Sequence, residues 1–266
     1  IEQTGAQAQI ASELDLVRLV TGVDWYDYDV KSSFSPSHST FETLAGFVLA
    51  KSRFLEDRLI VDAGLRYEYA EVEMLDPDGN TEDQGDLTSS FGVAYLLNDH
   101  LKVRAHFGEA FKMPGADQLA ADYTVDYGWG PIHYRGNPDL DHETSRTYEV
   151  GVEYVDQVFN ASLGYFYTRF KDKITQVLIP TGYSWENSGK SEISGIEAQF
   201  NSDFVLMGRE DFRLQPYLNL TYFDRYRDLD NNEDLKYMNE MNASYGFGLQ
   251  MPSQLSARLN FAYQGR

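Results

Sequence analysis

Residues 107–154 read FGEAFKMPGADQLAADYTVDYGWGPIHYRGNPDLDHETSRTYEVGVEY, and this stretch decides the fold. It opens at the end of an alternating segment, in which Leu101, Val103, Ala105 and Phe107 oppose Lys102, Arg104 and His106. A long aromatic loop follows and closes on Gly136-Asn137-Pro138-Asp139-Leu140. After Glu143-Thr144-Ser145 a second alternating segment begins. A period of two sends successive side chains to opposite faces of a strand. One face is therefore apolar and the other charged in mid-strand. A soluble sandwich would turn the apolar face inward, whereas a membrane barrel turns it to lipid and the charged face to a wet lumen.

The same period recurs along the chain. Leu59, Val61, Ala63, Leu65, Tyr67 and Tyr69 oppose Ile60, Asp62, Gly64, Arg66 and Glu68. Phe159, Ala161, Leu163, Tyr165 and Tyr167 oppose Asn160, Ser162, Gly164 and Thr168. Comparable sets occur at 212–222, 241–250 and 255–264. Aromatics gather near the ends of the apolar faces, as an interfacial girdle requires. About twelve strands are predicted, near 2–11, 15–28, 42–54, 58–73, 87–97, 100–111, 144–155, 158–177, 191–203, 211–224, 237–250 and 254–264. Short turns at Glu56-Asp57, Asn98-Asp99, Asp156-Gln157 and Pro252-Ser253 alternate with long loops near 29–41, 74–86, 112–143, 178–190 and 225–236. Short turns on one side and long loops on the other describe an antiparallel transmembrane β-barrel, all-β in class. A sandwich mixes its loop lengths.

Composition is compatible with this reading. A net charge of −20 argues against nucleic acid, which needs clustered Lys and Arg. There is no cysteine, so disulfide frameworks and thiolate metal sites are excluded. No run of about 18 apolar residues could form a membrane helix, and the negative mean hydropathy does not bear on a barrel. No signal peptide is visible at Ile1, which fits a removed leader or a fragment.

Several segments together resemble the TonB-dependent outer-membrane receptors. Phe107 to Pro114 resembles G-x-A-F-[KR]-x-P. Gly136 to Glu143, followed by Tyr148 onward, resembles N-P-x-L-x-x-E-[TS] and Y-E-x-G-x-E. Leu44-Ala45-Gly46-Phe47 with Leu59 to Tyr69, Phe166 to Ile174, and Asn187-Ser188-Gly189-Lys190 leading to Gly195-Ile196-Glu197 are similar to further family segments in the family's order. The resemblance implies that residues 1–266 are part of a 22-stranded barrel, without plug domain, TonB box or closing strands. It also implies an outer-membrane receptor and active transporter, not an enzyme and without cofactor, coupled to an inner-membrane TonB complex through a plug. The expected ligand is a ferric siderophore, with haem or cobalamin as the alternative within the family. A 12-stranded outer-membrane hydrolase and a passive porin are the alternatives from other classes. Outer-membrane lipid and lipopolysaccharide are further expected partners.

The expected ligand platform is the long loop, where Tyr123, Tyr127, Trp129, His133, Tyr134 and Arg135 combine aromatic surface with one cation. Family haem receptors carry an axial histidine in this interval, so His133 is the haem candidate. His38, His100, His106 and His142 complete the histidines; none sits in a zincin, serine-hydrolase, Walker or dinucleotide motif. His106 is expected to be a hydrogen-bonded lumenal residue, and the hydrolase alternative would need His106 or His100 beside a serine. Asp76, Asp78 and Asn80 resemble the start of a calcium loop but lack its full pattern. The acidic stretch Asp228 to Asp234, and Asp24, Asp27 and Asp29, are expected to be solvated.

Overall fold

A computed structural model describes residues 1–33, 36–76, 81–236, 238–253 and 255–265. In chain order the elements are β1 (Glu2–Glu13), β2 (Val17–Lys31), β3 (His38–Phe54), β4 (Leu59–Asp76), β5 (Thr81–Leu96), β6 (Leu101–Lys112), α1 (Ala116–Ala120), β7 (Asp122–Asp126), β8 (Pro131–Arg135), β9 (Glu143–Val155), β10 (Phe159–Ile179), β11 (Gly182–Ser202), β12 (Phe204–Val205), β13 (Arg213–Asp228), β14 (Glu233–Asp234), β15 (Met241–Gln250) and β16 (Ser256–Gly265). Twelve of them form one antiparallel wall in the order β1-β2-β3-β4-β5-β6-β9-β10-β11-β13-β15-β16. Every wall strand pairs with its neighbour along the chain, the up-and-down order expected of an outer-membrane barrel. β1 pairs with β2 and β16 with β15, and the two outer strands do not pair with each other, so the sheet is not closed in this chain.

The faces divide as the alternation predicts. Leu65, Tyr148, Val150, Leu163, Tyr165 and Leu259 remain exposed on one face. The opposite face carries ion pairs: Arg104 contacts Glu149 at 3.3 Å and Glu153 at 3.0 Å, and Lys102 contacts Glu153 at 2.6 Å. Polar residues paired on one face and large apolar ones bare on the other is the inverse of a water-soluble sheet.

Three expected long loops are mostly strand. β2 continues to Lys31 and β3 starts at His38; β4 continues to Asp76 and β5 starts at Thr81; β10 and β11 are separated only by Pro180 and Thr181. The reason is that ladder hydrogen bonds join backbone groups and continue where the side chains have stopped alternating. Hydrophobic periodicity ends where lipid contact ends, and the hairpins project past it.

One join in the wall is incomplete. β5 and β6 pair only from Ser90↔Gly108 to Leu96↔Lys102. Beyond that point β5 stays with β4 and β6 stays with β9. Side chains bridge the resulting seam: Ser89 donates to Glu109 at 2.6 Å, and His142 reaches Gln84 and Asp86, each at 3.1 Å.

Candidate functional site

The compact core of the chain lies where the β6–β9 connection folds against the wall. Val72 and Met74 of β4, Leu119 of α1, Ala121, Leu140 and Trp185 of β11 form one buried cluster, with Phe41, Tyr123, Tyr134 and Ile174 packed on it. Val72 and Met74 share the strand face of Glu68 rather than the lipid-facing set of Tyr67 and Tyr69.

The residues of the Gly136–Glu143 segment anchor this loop. Asn137 Nδ2 donates to the Trp185 carbonyl at 2.9 Å, and its Oδ1 accepts from the Asp139 amide at 3.0 Å. Leu140 is 1% exposed, and its carbonyl accepts from Gln84 Nε2 at 2.8 Å. Asn187 reciprocates from β11: its Oδ1 accepts from the Asp141 amide and its Nδ2 donates to the carbonyls of Asp141 and Asp172, all at 2.8 Å. The Asn-Pro and Asn-Ser-Gly segments are thus two halves of one latch. At the other end of the loop, Gln118 accepts from the Gly115 amide at 2.9 Å and caps α1.

The latch presents a hairpin. β7 and β8 pair antiparallel, and β8 also pairs in parallel with the start of β11 through Gly182↔His133 and Tyr183↔Tyr134. Gly182 is required there: its φ is +150°, and a Cβ would lie 1.9 Å from the His133 carbonyl oxygen. At the hairpin tip Gly128 and Gly130 take φ of 93° and 116°, and Asp126 accepts from the Gly128 amide at 2.7 Å.

The expected binding residues divide into three groups. Tyr123 and Tyr134 stack at 5.0 Å, and Tyr134 continues onto Tyr183 at 5.6 Å and Trp185 at 6.5 Å. Tyr127 and Trp129 stand out at the tip, with Trp129 89% exposed. His133 and Arg135 lie on β8. A hydrogen bond from the Tyr134 hydroxyl to Tyr127, then partial burial, raises the Tyr134 phenol, and burial, then the charge of Asp117, raises Tyr123. Both phenols stay neutral donors at physiological pH.

His133 does not present a free nitrogen. Its Nδ1 is 3.1 Å from Thr124 Oγ1 and its Nε2 is 3.4 Å from an Asp122 carboxylate oxygen. Axial ligation would need one of these contacts released. His106 also departs from expectation: it lies on the lumenal face opposite Gly92 and Glu149, with no hydrogen bond among the described residues. Its cross-strand neighbour Glu149 is paired with Arg104 at 3.3 Å instead. His100 bonds the Val155 carbonyl at 3.0 Å and His38 bonds Asp29 at 3.0 Å, so neither faces a serine. Asp76 accepts from the Ser37 hydroxyl, whereas Asp78 and Asn80 lie outside the described residues. Among the described residues no group of three His, Asp or Glu could hold a metal. In the second acidic stretch, Asp228 accepts from the amides of Asp230 and Asn231, and Asp230 accepts from the Lys190 amide.

Beneath the loop lies a cavity of about 780 Å³, within the size range of small-molecule sites. Tyr26, Tyr28, Phe41, Arg66, Glu68, Met113, Pro114 and Tyr123 line it. Arg66 is held by Asp24 at 2.6 Å and Glu68 at 2.6 Å, so its charge is already compensated. The cavity therefore offers aromatic faces more than net positive charge. Apart from Tyr123, these lining residues were not expected as a site. The readable signal was aromatics on the charged face of a strand: Tyr26 and Tyr28 alternate with Trp25 and Asp27.

Comparison with known proteins identifies the fold. Residues 3–266 match the profile of the family described as TonB dependent receptor-like, beta-barrel. The chain belongs to this family. Among curated relatives, the ferric enterobactin receptor PirA of Pseudomonas aeruginosa is 25% identical over 93% of the chain, which covers 36% of that receptor. The probable TonB-dependent siderophore receptor PirA of Acinetobacter baumannii is 24% identical over 98% of the chain and 39% of its own length. The chain thus spans under two-fifths of these relatives. Among solved structures, a variant of the ferric enterobactin receptor PfeA of Pseudomonas aeruginosa, in complex with enterobactin, superposes with a TM-score of 0.79. It is 21% identical, over 99% of this chain and 41% of that one. The hemophore receptor HasR of Serratia marcescens, in complex with HasA and heme, gives 0.82 at 16% identity, over 98% and 51%. At these identities the structures speak for the barrel fold.

Proposed function

We propose that this chain is barrel wall and loop platform of an outer-membrane, TonB-dependent transporter for a ferric siderophore, with a catecholate complex as the favoured ligand. The observation that carries the reading is the aromatic cavity beneath an anchored loop, with a stack of Tyr123, Tyr134 and Tyr183 beside it and Trp129 exposed at the loop tip. A tris-catecholate iron complex is a bulky aromatic trianion. It would lie on tyrosine faces and meet Arg135, which has no ion pair among the described residues. The curated relatives named for ferric enterobactin support the same class. Coupling to TonB, residence in the outer membrane and the absence of bond-making chemistry follow from family membership as parts of this proposal. Haem is the weaker alternative, because both His133 nitrogens have protein partners.

The test is equilibrium binding of a ferric catecholate, a ferric hydroxamate and hemin to the whole protein in detergent, read by tryptophan fluorescence. Quenching that saturates with the catecholate, and weakens in Tyr123→Ala and Tyr134→Ala, is the expected result. Saturation by hemin alone, lost in His133→Ala, would overturn it. Uptake in cells that persists without TonB would replace the transporter with a porin.

A further inference from the structure

The outward face of the wall, just above its apolar band, is split by charge. On β2 to β5 the cross-strand neighbours Asp27, Glu42, Glu71 and Asp83 form an acidic row. On β9 and β10 the sign reverses. Arg146 and Arg169 sit directly opposite each other, and Lys171 follows on the same face opposite Thr144. All three continue the lipid-facing parity of Tyr148, Val150, Leu163 and Tyr165.

Three features make this cluster more than a solvated face. First, like charges directly across a ladder destabilise a sheet, yet a chain with a net charge of −20 places three of its 22 basic residues here. Second, only Arg146 is in an ion pair, with Glu109 at 2.9 Å; Glu192, across from Arg169 on β11, is taken by Arg225 at 3.1 Å and by the Tyr167 hydroxyl at 2.9 Å. The side chains of Arg169 and Lys171 make no ion pair or hydrogen bond among the described residues. Third, the three cations border a concavity of about 330 Å³ that opens where β5 and β6 part. Tyr148 and Tyr167 form its lower edge, their rings 6.5 Å apart. The carboxylates on its border are engaged: Glu109 with Ser89 and Arg146, Asp86 with His142.

We propose that this concavity holds the phosphate of a phosphorylated glycolipid of the outer leaflet, with Arg146, Arg169 and Lys171 on the phosphate and the two tyrosines against its acyl-sugar region. The inference rests on the outer-membrane placement given above. A phosphate supplies the missing anion between Arg146 and Arg169. Guanidinium forks match its oxygens, and tyrosines at the band's edge suit the interface between headgroup and chains. Lipid anchored in the plane of the membrane meets this outward face, whereas the siderophore cavity faces the lumen.

The test is native mass spectrometry of the whole protein in detergent, titrated with bis-phosphorylated lipid A, with its dephosphorylated form, and with inorganic phosphate. The phosphorylated lipid should bind at least about tenfold more tightly than the dephosphorylated form, and the double variant R169Q/K171Q should remove that preference. Both substitutions are on an exposed face, and the heat-modifiable gel shift of a folded barrel checks that the variant has folded. Arg209→Gln, a cation at the opposite end of the wall, should change nothing. Equal binding of the two lipids, or an unchanged double variant, overturns the proposal. Displacement of lipid A by millimolar inorganic phosphate overturns the lipid as occupant and leaves a simple anion site. Ferric-catecholate binding measured on the same samples separates the two readings: its absence from the wild type refutes the proposed transport function without touching the lipid result.

Discussion

Leu140→Ala should open the loop without melting the wall. The substitution removes three carbons from a side chain that is 1% exposed, packed with Val72, Met74, Leu119 and Trp185. At about 0.8 kcal/mol per buried methylene, plus a share for a cavity that this crowded site refills only in part, the loss is about 3 kcal/mol. That energy holds the connection to the barrel, because Leu140 lies outside every strand of the wall and packs on the side chains of Val72, Met74 and Trp185. A loss of 3 kcal/mol multiplies the open population of the loop by about a hundredfold. Hydrogen–deuterium exchange resolved by peptide is the assay. Amides of α1, β7 and β8 should exchange about a hundredfold faster in L140A, and those of β10 at Leu163 to Tyr167 should not change. Unchanged protection in 116–135 would refute the latch. An equal loss across β10 and β11 would refute the separation of loop from wall.

Gly182→Ala should break the parallel contact between β8 and β11, because its Cβ meets the His133 carbonyl; loss of protection at His133 and Tyr134, with the gel shift of the barrel retained, checks this. Asn187→Ala removes three hydrogen bonds from the latch and should give the same exchange signature as Leu140→Ala, with the two effects less than additive in the double variant. Asp156 caps a short turn: its carboxylate accepts from the Phe159 and Val158 amides, the first being the largest cause of its lowered pKa. A lowered folded-state pKa means stabilisation that is complete above the unfolded value of 3.8 and lost as pH falls through the folded value. Exchange at 157–159 should therefore rise, relative to Asp156→Asn, only below about pH 4.

The wall was legible because a barrel strand carries its environment in its own alternation. Leu163 and Tyr165 against Ser162 and Gly164 state which side meets lipid, and twelve such segments state the architecture. The strand extensions were not legible: from Glu186 to Lys190 every residue is polar or glycine, so no alternation marks the strand, and backbone ladder bonds with side-chain bonds such as Thr175 to Ser188 carry it on. The site was half legible. Tyr123, Tyr134 and Trp129 were visible as aromatics in a loop, and Tyr134 does join a stack. The fates of His133 and Asn137 were not, since each is decided by a partner far away in the chain or across a hairpin. Tyr26, Tyr28 and Phe41 were overlooked because an aromatic in a barrel strand is ordinarily assigned to the lipid girdle, and these stand on the other face.

The hairpin between β7 and β8 is held at its base, and its tip, with Trp129 bare, returns to the anchored part through Tyr127 on Tyr134. Gly182, Asn137 and Leu140 secure the base through His133, Trp185 and Gln84. Insertions, deletions or wholesale replacement at the tip would therefore leave the anchored scaffold standing. Such a segment can vary in length and sequence while the vestibule below keeps its shape. It is equally a place where an epitope or an affinity tag could be grafted without disturbing the wall.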